Sequence, residues 1–136
     1  MAKTILLVED NPDDIELTLD VFETINLGNK IVVARNGAEA LDYLFGQGIY
    51  SATKPLLPQV MLLDLHLPKV DGLEVLRRVR EAERTRRLPV VILTSSKEES
   101  DLVRSYDLGA NSYIRKPVDF EQFTQAVRKS VYIGCC

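Results

Sequence analysis

Short apolar runs recur along the chain, at residues 5–8 (Ile-Leu-Leu-Val), 31–34 (Ile-Val-Val-Ala), 60–63 (Val-Met-Leu-Leu) and 90–93 (Val-Val-Ile-Leu). They do not alternate with polar residues, which is the pattern of strands buried on both faces of a sheet. A fifth, shorter strand is predicted over 112–115. The segments between them have helical spacing instead. Asn11 can cap, Pro12 suits a first helical position, and Asp13 and Asp14 complement the helix dipole. Ile15, Leu19 and Phe22 then recur on one face, with Gly28 placed to end that helix. Ala40, Leu41 and Leu44 mark a second helix over 38–45. Leu73, Val75, Leu76 and Val79 mark a third. A weakly amphipathic fourth runs over 98–108, with Gly109 past its end. Asp119 caps a last helix carrying Phe120, Phe123, Val127 and Val131. Residues 46–58 are rich in glycine and proline, lack periodicity and read as a loop. Five strands alternating with five helices predict an α/β, doubly wound, five-stranded parallel sheet. Right-handed crossovers would cover both faces, giving three layers, αβα.

The stretch from Gln59 to Gly72 organises the rest. Its buried strand stops at a carboxylate, Asp64, before Pro68 and Asp71-Gly72 turn the chain into the third helix. Glu9-Asp10 and Thr94 also follow strand ends, and Lys116 follows the fifth strand. In a parallel sheet these carboxyl ends share one edge, where open α/β folds place their ligands. Carboxylates roughly 4 Å apart repel by about 4 kcal/mol at an effective dielectric of about 20. Such a cluster needs a cation or shared protons. Oxygen ligands with room for water select Mg²⁺ over metals that prefer nitrogen or sulfur. An ammonium and a hydroxyl nearby would suit a transferring phosphoryl group. Each residue alone has a plainer reading. Asp64 could be a solubilising strand-end acid, Thr94 a cap, Lys116 a solvated lysine and Tyr113 an ordinary strand tyrosine. Arg77, Arg78, Arg84, Arg86 and Arg87 read as a solvated face.

Composition narrows the class. The 136 residues fit one domain, and 46% hydrophobic content supports a packed core. A formal charge of −3 argues against nucleic acid as partner. No apolar stretch approaches the roughly 20 residues of a membrane span, and Met1-Ala2-Lys3-Thr4 does not open a signal peptide. A cytoplasmic protein without a membrane partner is expected. Cys135 and Cys136 are adjacent at the end, so they form no internal framework and lack metal-site spacing.

Four motifs in order, L-L-V-E-D-N, L-D-L-H-L-P-K-V-D-G, V-I-L-T-S and Y-I-R-K-P-V, resemble the receiver domain of two-component response regulators. The separations of Asp64 from Thr94 and from Lys116 also match. The resemblance covers about residues 3–131, and it implies a flavodoxin-like strand order, 2-1-3-4-5. It further implies roles. Asp64 would accept a phosphoryl group from a sensor histidine kinase. Asp10 and Asp64 would bind Mg²⁺ with the backbone carbonyl of His66, Glu9 helping through water. Thr94 and Lys116 would hold the phosphoryl group. Tyr113 would change rotamer with Thr94, passing the state to the face of the fourth helix, fifth strand and fifth helix. The Lys116-Pro117 peptide would be cis. Glu9 stands where an aspartate is commoner, and the loop over 46–58 is about ten residues longer than in a minimal receiver. That loop resembles stand-alone regulators encoded with bacterial phytochrome kinases.

Other classes fit less well. A phosphatase of the haloacid dehalogenase type needs a second acid two residues after its nucleophile, where this chain has His66. A receiver-like binding module that is never phosphorylated usually lacks the acid pair, the acceptor or the lysine, and all are present here. There is no phosphate-cradling loop for a flavin or nucleotide. A single receiver domain over 1–136 with no output domain is expected, acting as a phosphoacceptor and not as a turnover enzyme. A homodimer is also expected. The last apolar stripe, Phe120, Phe123, Val127 and Val131, continues into Tyr132 and Ile133 beyond any sheet contact, making a patch that a two-fold partner could cover.

Overall fold

The computed structural model describes residues 4–25, 30–53, 55–94, 104–116, 121, 122 and 125. Its strands are β1 (Thr4–Val8), β2 (Lys30–Ala34), β3 (Val60–Asp64), β4 (Val90–Thr94) and β5 (Ser112–Arg115). Its helices are α1 (Pro12–Ile25), α2 (Gly37–Phe45) and α3 (Gly72–Glu81), with further helical residues at 104–107, 121, 122 and 125. The sheet is parallel throughout, in the order β2-β1-β3-β4-β5. This is the doubly wound, flavodoxin-like arrangement expected.

Burial explains why the strands read as unbroken apolar runs. Leu6, Val8, Met61, Leu63, Val90 and Ile92 face one side of the sheet, where Ala40, Leu41, Leu44, Val75, Leu76 and Val79 cover them. Ile5, Leu7, Val60, Leu62, Val91, Leu93 and Ile114 face the other side, against Ile15 and Phe22 of α1. Successive strand residues thus enter two separate cores, and neither set can be polar.

The ends of the strands differ from the expectation in one useful way. Asp64 and Thr94 are the last residues of β3 and β4 and are paired in the sheet, so ladder hydrogen bonds hold their backbones. The predicted ends of the first and last helices, with Gly28, Asp119 and Phe120, lie outside the described residues. The loop over 46–58 contains a 3₁₀ turn, Gly48–Tyr50, that aperiodic sequence did not announce. Tyr50 meets Tyr43 edge-on, with ring centroids 5.0 Å apart. Arg84 lies on the exposed face expected of it and in addition donates to the carbonyls of Leu44 and Pro55, tying this loop to α2.

Two glycines set the path between β3 and the helices beside it. A Cβ on Gly72 would stand 2.3 Å from the Asp64 carbonyl oxygen, and one on Gly37 would stand 2.0 Å from that of Val70. The Gly72 amide also donates to the Leu65 carbonyl at 3.0 Å. The start of α3 is therefore seated on the backbone of Asp64 and Leu65, and only a residue without a side chain fits. Gly72→Ala is expected to cost roughly 1–3 kcal/mol, because backbone must move to admit the methyl group. Urea unfolding measures this; a change within about 0.5 kcal/mol of zero, the range of ordinary surface substitutions, would contradict the close seating.

Candidate functional site

The carboxyl edge of the sheet gathers the acids. β1 ends at Val8, and the Glu9 amide continues its ladder to the Ala34 carbonyl at 2.9 Å, which carries the Glu9 side chain inward to full burial. Glu9 Oε2 accepts the amides of Asp10 and Asn11 at 3.1 and 3.3 Å, while Asp10 stays exposed. Asn11 Oδ1 accepts the amides of Asp13 and Asp14, the cap that the sequence predicts. At the end of β3, Asp64 is 5% exposed and its Oδ1 accepts the His66 amide at 3.0 Å.

Lys116 enters from the far side of the sheet. Its amide donates to the Thr94 carbonyl at 2.7 Å, one step past the β4–β5 ladder. Its side chain is 9% exposed and reaches three carboxylates: Glu9 Oε1 at 2.5 Å, Asp14 Oδ2 at 3.0 Å and Asp64 Oδ2 at 3.0 Å. The contacts to Asp14 and Asp64 are hydrogen bonds. The contact to Glu9 is close in distance and opposite in charge, but among the described residues Oε1 accepts no hydrogen bond of good geometry.

The sequence predicts only a helix-dipole role for Asp14, and here it is the third acid on Lys116. Its position in the first turn of α1, four residues after Asp10, is the available signal. Thr94 is buried beside Lys116. The His66 side chain is exposed, while its amide braces Asp64. Tyr113 is not part of the cluster: it is 39% exposed and faces Tyr106. Pro117, Phe120, Phe123, Val127, Val131, Tyr132 and Ile133 lie outside the described residues, and so do the cis peptide and dimer stripe expected there.

The electrostatics follow from crowding. Burial, and then the hydrogen bond and charge of Asp64, push Glu9 up to about 7, against a smaller opposing pull from Lys116. Burial alone would lower Lys116, but Glu9 and Asp64 outweigh it and hold its ammonium above the usual lysine range. One lysine therefore does not neutralise the cluster, and Glu9 retains a proton into the neutral range.

Carboxylate oxygens of Glu9, Asp10 and Asp64 lie within 4.8 Å of one another, and one of these residues carries the oxygen without a hydrogen bond. A hard divalent cation such as Mg²⁺ or Mn²⁺ fits this all-oxygen set. Its charge would also draw the proton from Glu9.

The sequence and fold are similar to those of known proteins. Residues 5–128 match the response regulator receiver domain family. The bacteriophytochrome response regulator AtBRR superposes with a TM-score of 0.88 at 55% identity, over 96% of this chain and 93% of that one. The phosphorylated cyanobacterial phytochrome response regulator RcpA gives 0.82 at 40%, over 94% and 90%. Response regulator Rcp1 from Synechocystis sp. is 37% identical over 126 residues, 93% of this chain and 84% of the relative. The structure of an Mn(2+)-bound Rcp1 superposes with a TM-score of 0.80 at 38% identity, over 91% and 88%.

The displaced Glu9 value has a sign that can be tested. A carboxyl group that titrates at about 7 when folded and near 4.5 when unfolded makes the native state the tighter proton binder between those values. Metal-free protein should then lose stability as pH rises from about 4.5 to about 7, by about 1–3 kcal/mol from this group. Urea unfolding in a chelator should show wild type falling relative to Glu9→Gln across that window. Parallel curves for the two proteins would contradict the assignment.

Proposed function

This chain belongs to the response regulator receiver domain family, and on that premise we propose that Asp64 is its phosphoacceptor, charged by a sensor histidine kinase. The observation that carries the reading is the seating of Asp64. Its Oδ1 is braced by the His66 amide and its Oδ2 by Lys116, at the mouth of an acidic cluster otherwise too crowded to hold full charge. A carboxylate fixed in this way is oriented for attack, and its ammonium partner is already placed where phosphoryl oxygens would arrive. In the transfer, a carboxylate oxygen of Asp64 forms a P–O bond as the P–N bond to the kinase histidine breaks. The imidazole leaves with that electron pair and takes up a proton.

Glu9, Asp10 and Asp64, with the carbonyl of His66, would hold Mg²⁺, which when bound screens the charge developing on the phosphoryl oxygens. Lys116 would neutralise the same oxygens. The buried Thr94 hydroxyl would pair with the phosphoryl group and draw its loop inward, and Tyr113 would follow. The chain receives and relays a signal; it is not built for turnover. Similarity to AtBRR and RcpA supports a bacterial phytochrome as the kinase class. Among the described residues no helix is long and apolar enough to cross a membrane. We also propose a homodimer through the fourth helix, fifth strand, fifth helix and terminal stripe, on the sequence pattern alone.

Asp64→Asn should abolish Mg²⁺-dependent labelling by a phosphorylated kinase or by acetyl phosphate, whereas Thr94→Ala should still be labelled but should not change amide shifts around Tyr113. Labelling of Asp64→Asn at the wild-type rate, followed by phosphoprotein electrophoresis, would overturn the acceptor assignment. For the dimer, sedimentation under reducing conditions should show Tyr132→Ser/Ile133→Ser shifted toward monomer. A monomeric wild type at tens of micromolar in both phosphorylation states would refute it.

A further inference from the structure

We propose that Tyr106 is a positioning residue that holds Tyr113 in its outward rotamer in the resting chain. The proposal deepens the reading given above, in which Tyr113 responds to phosphorylation. Along β5, Ile114 enters the core with Val91 and Leu93, so its neighbour Tyr113 stands on the opposite face of the sheet. That is the face of Ile92, the partner of Tyr113 in register, and Leu108 and Ala110 pack on the same side just beyond the helical residues 104–107. Thr94 lies two residues beyond Ile92 and shares its face. An inward swing of the Tyr113 ring would therefore carry it over Ile92 toward Thr94, between β4 and the helical segment that bears Tyr106.

The ring is not there. Tyr113 meets Tyr106 edge-to-face, with centroids 6.2 Å apart and planes at 89°, and the two are 39% and 44% exposed. This is the favoured T-shaped geometry, in which the positive edge of one ring meets the negative face of the other. Two half-exposed aromatic rings gain little from core burial, so their mutual contact has a large share in fixing the rotamer. Burial, and then the neighbouring Tyr113 phenol, raise the Tyr106 hydroxyl above its usual range, as expected for a pair in contact. In this proposal the inward rotamer of Tyr113 gives up the edge-to-face pair. A contact that exists in only one of two conformations sets their ratio.

The test uses the full chain with ¹³C-labelled tyrosine rings, reading the outward-to-inward ratio of Tyr113 from ring shifts and side-chain couplings without phosphorylation. Tyr106→Leu should lower that ratio by about twofold to about tenfold, the worth of one edge-to-face pair. Tyr106→Phe should keep the wild-type ratio, since the ring and not the hydroxyl makes the contact. Tyr106→Gln, suited to an exposed helical site, gives a second reading should the leucine variant fold poorly. An unchanged ratio in Tyr106→Leu and Tyr106→Gln, or a phenylalanine variant that behaves like leucine, would overturn the proposal. Mass spectrometry of Asp64 after acetyl phosphate treatment separates the two readings. If Asp64 is labelled equally in all variants while the ratio stays fixed, the Tyr106 proposal alone fails. If Asp64 is never labelled while the ratio shifts, the acceptor reading fails and the pair stands.

Discussion

One buried ammonium surrounded by carboxylates is the constraint on which the carboxyl edge of this sheet depends. Lys116 lies within 3.0 Å of oxygens from Glu9, Asp14 and Asp64, which come from the ends of β1 and β3 and the first turn of α1. Removing one partner from a buried ion cluster is far costlier than breaking a surface pair, because the remaining charges are left without compensation. The elements that deliver these groups are correspondingly firm. The strands are hydrogen-bonded up to Asp64 and Thr94, the Glu9 and Lys116 amides extend their ladders by one step, and α3 rests on the backbone behind Asp64. The fold brings sequence-distant residues together at one sheet edge without a long loop at Asp64.

The same cluster is also unfinished. Its negative charge exceeds what one lysine offsets: burial and Asp64 push the Glu9 carboxyl up to about 7, and among the described residues Glu9 Oε1 has no hydrogen-bond partner. Either a divalent cation or an incoming phosphoryl group with its counter-ion changes that balance. This gives physical content to a switch: a site tense in one charge state and relaxed in another can bias a distant rotamer only through groups that move between the two. Thr94 and Tyr113 lie on one face of adjacent strands and would carry that coupling in the proposed switch.

Much of this was legible in the sequence, and for identifiable reasons. Double-sided burial leaves no polar position inside a strand, so the β1, β3 and β4 runs stood out, and the acids stood out at their ends. The strand order was not readable from periodicity; it came with the motifs. Other features depend on tertiary approach and left no local trace. The role of Gly72 rests on a 2.3 Å approach to the Asp64 carbonyl, not on its backbone angles. Asp14 was read as a dipole residue because its partner is 102 positions away. The carbonyl partners of the exposed Arg84, Leu44 in α2 and Pro55 in the loop before β3, are 40 and 29 positions away. The Tyr106–Tyr113 pair joins an amphipathic segment of weak pattern to an edge strand, where neither ring is needed by the core.

The most direct test of the account is a ¹³C carboxyl NMR titration of Glu9 in metal-free protein, repeated with saturating Mg²⁺. The account predicts a midpoint near 7 without metal, falling well into the ordinary carboxylate range when Mg²⁺ is present. A Glu9 that titrates as an ordinary carboxylate in both conditions would show that the cluster is neither crowded nor a cation site, and would contradict it.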